Sequence, residues 1–129
     1  LELSASENPA KRTTPNTVDQ ICDPNPTKVY DIFVINTQSL ADKLDELGPI
    51  LDNENYSAIC ICEHWYTPDT IGYARIRGYI QAATYCRTVQ TRGGVAIYVK
   101  EGVNFQTVNV EQFCVEKHCE IVAINLPFS

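Results

Sequence analysis

An α/β fold built on a mixed sheet is what this sequence predicts, and three observations carry that reading. Val29-Tyr-Asp-Ile-Phe-Val-Ile35 and Tyr56-Ser-Ala-Ile-Cys-Ile-Cys62 are short, almost continuous apolar runs, as expected of strands covered on both faces. Between them, Leu40, Leu44, Leu47 and Leu51 recur at helical spacing. Beyond them the chain turns β-rich, with Gly93-Gly94 and Glu101-Gly102 marking turns or close backbone approaches.

Taken in order, residues 1–28 carry Pro9, Pro15, Pro24 and Pro26 among polar residues with almost no hydrophobic period. They are expected to form a disordered leader ahead of a domain over 29–129. The first strand begins at Val29, is expected to be central in its sheet, and closes at Asn36. Ser39 with Asp42 resembles a capping box for a helix of about three turns. Gly48-Pro49 should kink its last turn, and Asp52-Asn-Glu-Asn55 should end it. The chain then enters the second buried strand, Tyr56 to Cys62. Strand, helix and strand within roughly 30 residues form a crossover unit, so these two strands should be parallel, with their carboxyl ends on one edge. Further strands are expected over Tyr79–Cys86, Gly94–Val99, Phe105–Val110 and Cys119–Leu126.

The length of 129 residues suits one domain, and 44% apolar residues with 7 tyrosines describe a globular one. A formal charge of -6 argues against nucleic-acid binding by bulk electrostatic attraction, which needs clustered Lys and Arg; a locally built site stays open. Methionine is absent even at position 1, so a fragment or processed form is expected. No apolar stretch suits a signal peptide or a membrane span. The expected location is therefore intracellular, nuclear or cytoplasmic, with no secretion and no membrane partner. The six cysteines, at 22, 60, 62, 86, 114 and 119, are expected to be buried free thiols. Cys60 and Cys62 share one face of a strand and cannot bridge each other without distorting it.

Ligands of open α/β sheets gather beyond the carboxyl ends of strands, and Asn36 and Glu63 are the first polar residues past two such ends. Glu63 offers a hard oxygen ligand for Mg²⁺, an ion commonly held by one or two carboxylates together with water and phosphate oxygens. His64 should leave the chain on the opposite face. Cys114, His118 and Cys119 could form half a zinc site, with Cys60 and Cys62 as further donors; such a zinc module would carry stoichiometric metal. Arg92-Gly93-Gly94 lacks the spacing of a phosphate loop, and Ser39 is explained by its capping role.

Several pieces occur in a telling order: Ile35-Asn36-Thr-Gln-Ser39-Leu40, the Lys43–Leu47 helix start, Ile61-Cys-Glu63-His-Trp65, Gly78-Tyr79, and Arg92-Gly-Gly-Val-Ala-Ile-Tyr-Val-Lys100. From Asp31 onward the chain resembles the amino-terminal half of the endonuclease/exonuclease/phosphatase superfamily, specifically the endonuclease domain of LINE-type non-LTR retrotransposons. That resemblance implies a deoxyribonuclease I-like, four-layered α/β sandwich with a mixed β-sheet and covering helices. It implies Asn36 and Glu63 as catalytic residues, Glu63 as the ligand of Mg²⁺ (or Mn²⁺), and DNA as partner. The implied reaction is metal-assisted phosphodiester hydrolysis. The family's Gly-Asp-x-Asn and Ser-Asp-His motifs have no counterpart before Ser129. The expectation is therefore a truncated domain, its C-terminal half missing, that is inactive alone and exposes the inner apolar face of its sheet to that missing half or another protein. The alternative is a non-catalytic remnant or protein-interaction module that retains part of the fold.

Overall fold

A computed structural model of the chain describes residues 28–127, so the expected leader, apart from Lys28, lies outside the described residues, as does Cys22. Its strands are β1 (Ile32–Asn36), β2 (Ala58–Cys62), β3 (Tyr79–Tyr85), β4 (Val95–Lys100), β5 (Gln106–Val108) and β6 (Ala123–Asn125). One helix, α1 (Leu44–Asn53), connects β1 to β2, and single 3₁₀ turns occupy Ile71–Tyr73 and Glu111–Phe113. No described helix is long and apolar enough to cross a membrane.

The main sheet is mixed and runs β1-β2-β4-β3. β1 and β2 are parallel, with Asn36 opposite Cys62, as the crossover requires. β4 is antiparallel to both its neighbours, and a bulge between Gln81 and Ala83 shifts the β3 register. With α1 on one side and a second small sheet on the other, the arrangement is a partial α/β sandwich.

One face of the sheet packs on α1. Ile59, Ile61, Ala96 and Tyr98 meet Leu40, Leu47, Leu51, Ala74 and Ile76, with Phe33, Ile35 and Leu44 packed around them. Full burial of such an aliphatic side chain is worth about 2 kcal/mol, so the leucine period that marks α1 also anchors it. Tyr98 brings a hydroxyl into this core and satisfies it by donating to the Ala74 carbonyl at 2.6 Å and accepting from Gln81 at 3.2 Å. Burial pushes its pKa up to about 12.

The helix ends where expected, within Asp52–Asn55, and departs from expectation at its start. It starts at Leu44, with Lys43 as an N-cap that makes no side-chain bond, and it continues through Pro49 to Asn53. Ser39 does not cap it, because its φ of 91° places it in a left-handed turn. The N–H groups of Thr37, Ser39 and Leu40 are already committed to the carbonyls of Cys62, Glu63 and His64, which delays the helix.

The opposite face corrects two further expectations. β1 is an edge strand, with Ile32 43% and Val34 67% exposed. The inner face is not wholly open either. The chain turns at Gly102, whose φ of 92° suits glycine, and returns as β5 and β6, an antiparallel pair forming a small second sheet. Ala58, Ile97 and Val99 are buried in a cluster with Val103, Phe105, Val122 and Ile124. Thr107 Oγ1 ties this layer down by donating to the Ala82 carbonyl at 2.8 Å. A nearly continuous apolar run does not say whether a further strand pairs on its far side, which is why β1 reads as central in the sequence. The five described cysteines are free thiols, but none is fully buried and Cys119 is exposed.

Candidate functional site

The parallel β1/β2 pair delivers Asn36 and Glu63 to the same sheet edge. Asn36 Nδ2 donates to Glu63 Oε2 at 3.0 Å, while Asn36 Oδ1 accepts the Gln38 N–H at 3.2 Å and so fixes which way the amide faces. Trp65 Nε1 donates to the other carboxylate oxygen, Oε1, at 3.3 Å. Hydrogen bonds from Asn36 and then Trp65 hold the Glu63 pKa below the usual glutamate value, and the nearby Arg87 and Arg92 charges add to that. Glu63 is therefore a fixed, ionised carboxylate.

Its backbone is clamped from two sides. On one, the Ser39 N–H and Thr37 Oγ1 both donate to the Glu63 carbonyl at 3.0 Å. On the other, the Gly94 carbonyl accepts the Glu63 N–H at 2.8 Å and the Gly93 carbonyl accepts the Trp65 N–H at 2.9 Å. Glu63 (φ 57°), Trp65 (φ 67°), Gln38 (φ 44°), Ser39 (φ 91°) and Arg92 (φ 68°) all adopt left-handed conformations. Each costs on the order of 1 kcal/mol or more for a residue with a side chain, and such costs concentrate where surrounding structure holds a functional geometry.

His64 points inward, away from this carboxylate, and is 1% exposed. Its Nδ1 accepts the Tyr66 N–H and its Nε2–H donates to the Tyr85 carbonyl, both at 2.9 Å, so the ring is a neutral tautomer with both nitrogens used. Burial lowers its pKa. The imidazole occupies the space where a side chain at Gly94 would start. The pair of glycines is thus explained by close approach to the Glu63–Trp65 backbone, and His64 by packing.

Two acidic residues that the sequence did not single out hold the 87–94 loop. Glu116 accepts the backbone N–H groups of Thr88, Val89 and Gln90 together with the Thr88 hydroxyl. These bonds, those to Gln90 and Thr88 foremost, bring its pKa down to about 2. Glu120 accepts from Gly94 N–H at 2.9 Å, Lys117 N–H at 2.7 Å and Arg87 Nε at 2.5 Å. Burial raises its pKa, and these bonds outweigh that to leave it lowered. No spacing signal marks Glu116 or Glu120 for this role, because their partners in the loop lie 26 to 33 residues away.

Among the described residues no three His, Cys, Asp or Glu side chains converge on a metal site, so the proposed grouping of Cys114, His118 and Cys119 does not assemble. Cys114 Sγ instead donates to the Ile121 carbonyl at 3.3 Å. The Glu63 edge offers one ionised carboxylate beside an amide. That donor set fits a hydrated Mg²⁺ or Mn²⁺ that completes its shell with water and phosphate oxygens, and does not fit an all-protein cage.

No family model matches the chain, and no curated protein matches it in sequence. Among solved structures, it is similar to the crystal structure of an AP endonuclease from Leishmania major, with a TM-score of 0.52 at 19% identity. The match covers 74% of this chain and 31% of that one, so this chain spans about a third of its neighbour's length. At that identity the likeness is one of fold.

Proposed function

We propose that this chain is part of a Mg²⁺-dependent phosphodiesterase domain of the retrotransposon DNA-nicking kind, with Glu63 as its metal-ligating carboxylate and Asn36 as its phosphate-orienting amide. The observation that carries the reading is the Asn36–Glu63 contact at the shared carboxyl edge of two parallel strands, in a deoxyribonuclease I-like fold. A bound divalent ion supplies charge neutralisation at a phosphodiester. Glu63 is held ionised and oriented for that role by Asn36 and Trp65, at no reorganisation cost on binding. Asn36 shares its donor group with Glu63, so it can turn part of its hydrogen bonding to a phosphate oxygen at the same edge. His64 cannot serve as the general base, because both its nitrogens are bonded and buried.

We further propose that the chain does not nick DNA by itself, since a single carboxylate and amide leave proton transfer and leaving-group stabilisation without a group. Mn²⁺ binding followed by magnetic resonance, with and without a thymidine dinucleotide, tests the site. Weak binding that tightens with the dinucleotide and is lost in Glu63→Gln is expected; binding indifferent to that substitution would sink the assignment. Plasmid nicking with Mg²⁺ should be absent, and robust nicking abolished by Glu63→Ala would overturn the proposed inactivity. The rival reading, an interaction module, draws on the exposed Ile32 and Val34 face of β1.

A further inference from the structure

Beside Glu63 lies a cleft of about 510 Å³ between Trp65 and the 87–92 loop, within the roughly 300–1,000 Å³ usual for sites that enclose small ligands. We propose that this cleft seats one unstacked nucleotide of a nucleic-acid strand, its base on the Arg92–Trp65 stack and a backbone phosphate on the N–H edge of the Arg92 guanidinium. The proposal rests on the phosphodiesterase reading of Glu63 and names how the strand is held next to it.

Position comes first. Trp65 Nε1 bonds the Glu63 carboxylate directly, so the indole that lines the cleft is the immediate neighbour of the candidate metal ligand. A nucleotide stacked there belongs to the same strand as a phosphodiester at Glu63.

The chemistry of the walls is matched to a base and a phosphate. The Arg92 guanidinium lies over the Trp65 ring, 4.7 Å from its centroid, so the two planar groups form a cation–π stack whose outer, guanidinium plane can take a base. Arg87 is committed to Glu120, whereas Arg92 makes no ion pair among the described residues. Its N–H groups are thus not taken up by a direct ion pair, although the Glu63 carboxylate lies near it. Thr88, Gln90 and Thr91 add hydrogen-bonding groups around the rim. Aromatic platforms flanked by arginine are how single strands are bound with little sequence preference, and a base stacked inside a duplex does not offer its face in that way.

The loop is built to hold this geometry. Val89 is 82% exposed, yet the loop that displays it is pinned by Glu116 through three successive backbone N–H groups. Val89 and Trp65 both line the cleft, so an exposed apolar side chain on this pinned loop offers a second apolar contact for a planar group.

Trp65 is the sole tryptophan of the chain, so its emission reports on the cleft directly. The full chain is titrated in EDTA with a short single-stranded oligothymidylate and, separately, with a blunt duplex. Saturable quenching by the single strand is expected, weakening with added salt. Arg92→Gln and Val89→Asp should each weaken it by about tenfold, the scale of one lost stacking or phosphate contact. Val89→Asp sits on the exposed tip and leaves the core untouched. Absence of quenching, equal quenching by the duplex, or quenching unchanged in both variants would overturn the proposal. Mn²⁺ binding dependent on Glu63 separates the two readings. If it persists without quenching, the cleft is wrong and the phosphodiesterase site stands. If quenching and its sensitivity to both variants persist without Glu63-dependent Mn²⁺ binding, the cleft stands alone.

Discussion

Glu120 Oε1 accepts the Gly94 N–H at 2.9 Å, and the carbonyl of that same glycine accepts the Glu63 N–H at 2.8 Å. A single residue therefore links an acidic side chain near the end of the described chain to the backbone of the candidate metal ligand. Glu120 also closes a 2.5 Å ion pair with Arg87 in which both side chains are less than one-fifth exposed. Glu120→Gln should cost about 2 kcal/mol by leaving Arg87 half-buried without its counter-charge. Hydrogen exchange at the Glu63 and Gly94 amides should speed up as well, and unchanged protection there would show that the link does not bear on the site.

Gly94→Ala meets two penalties at once. The backbone φ of 87° disfavours a side chain, and a Cβ would overlap the His64 ring. About 3 kcal/mol of destabilisation is expected, readable in a urea titration. Gly102→Ala also carries a positive φ, but it opens into free space and should lose only the conformational part, about 1 kcal/mol.

Glu116 makes the 87–90 segment acid-sensitive. Its folded pKa lies at about 2, below the ordinary 4.5, so the unfolded or detached state takes up a proton first as pH drops. The stabilisation it gives is fully present above about 4.5 and is lost as pH falls through about 2. Protection factors at the Thr88, Val89 and Gln90 amides, taken relative to the intrinsic exchange rate at each pH, should fall over that window, and Glu116→Gln should flatten the response. A wild-type loop equally protected throughout would contradict the assignment.

His64 acts in the same direction at milder pH. Burial holds its folded pKa below 6.5, so the unfolded chain binds the extra proton once pH drops below that value. Stability should decline as pH falls from about 6.5, and a His64→Gln variant, though less stable, should not show that part of the decline. Thermal melts across this range decide it.

Val34 is two-thirds exposed on an edge strand, where open backbone groups can pair with another chain. Val34→Lys should leave stability within about 0.5 kcal/mol and reduce self-association seen by sedimentation. A wild-type chain that is monomeric at every concentration would refute this.

The parts of the architecture that depend on local pattern were legible in the sequence. The leucine period located α1 and the apolar runs located β1 and β2. The parallel orientation that a strand–helix–strand crossover imposes then placed Asn36 and Glu63 at one edge without any long-range information. What escaped depends on contacts between distant segments. Ser39 looks like a cap until its N–H is seen to be taken by Glu63, and β1 looks central because a nearly continuous apolar run does not say whether another strand pairs on its far side. Glu116 and Glu120 bind backbone amides of a loop far away in sequence, an interaction with no period and no motif. Cysteine spacing instead drew attention to the same segment for a metal it does not assemble.

The left-handed conformations at Gln38, Glu63, Trp65 and Arg92 bear on how this chain would respond to directed improvement. Glycine or asparagine would sit at each of these positions with less strain than the residue found there, so a library sorted for heat resistance alone should drift toward them. Such a drift would erase the carboxylate, the indole and the guanidinium in turn. Thermostability and the capacity to bind are thus set against each other at these positions, and enrichment of glycine there in a sorted library would register how much stability the native residues forgo.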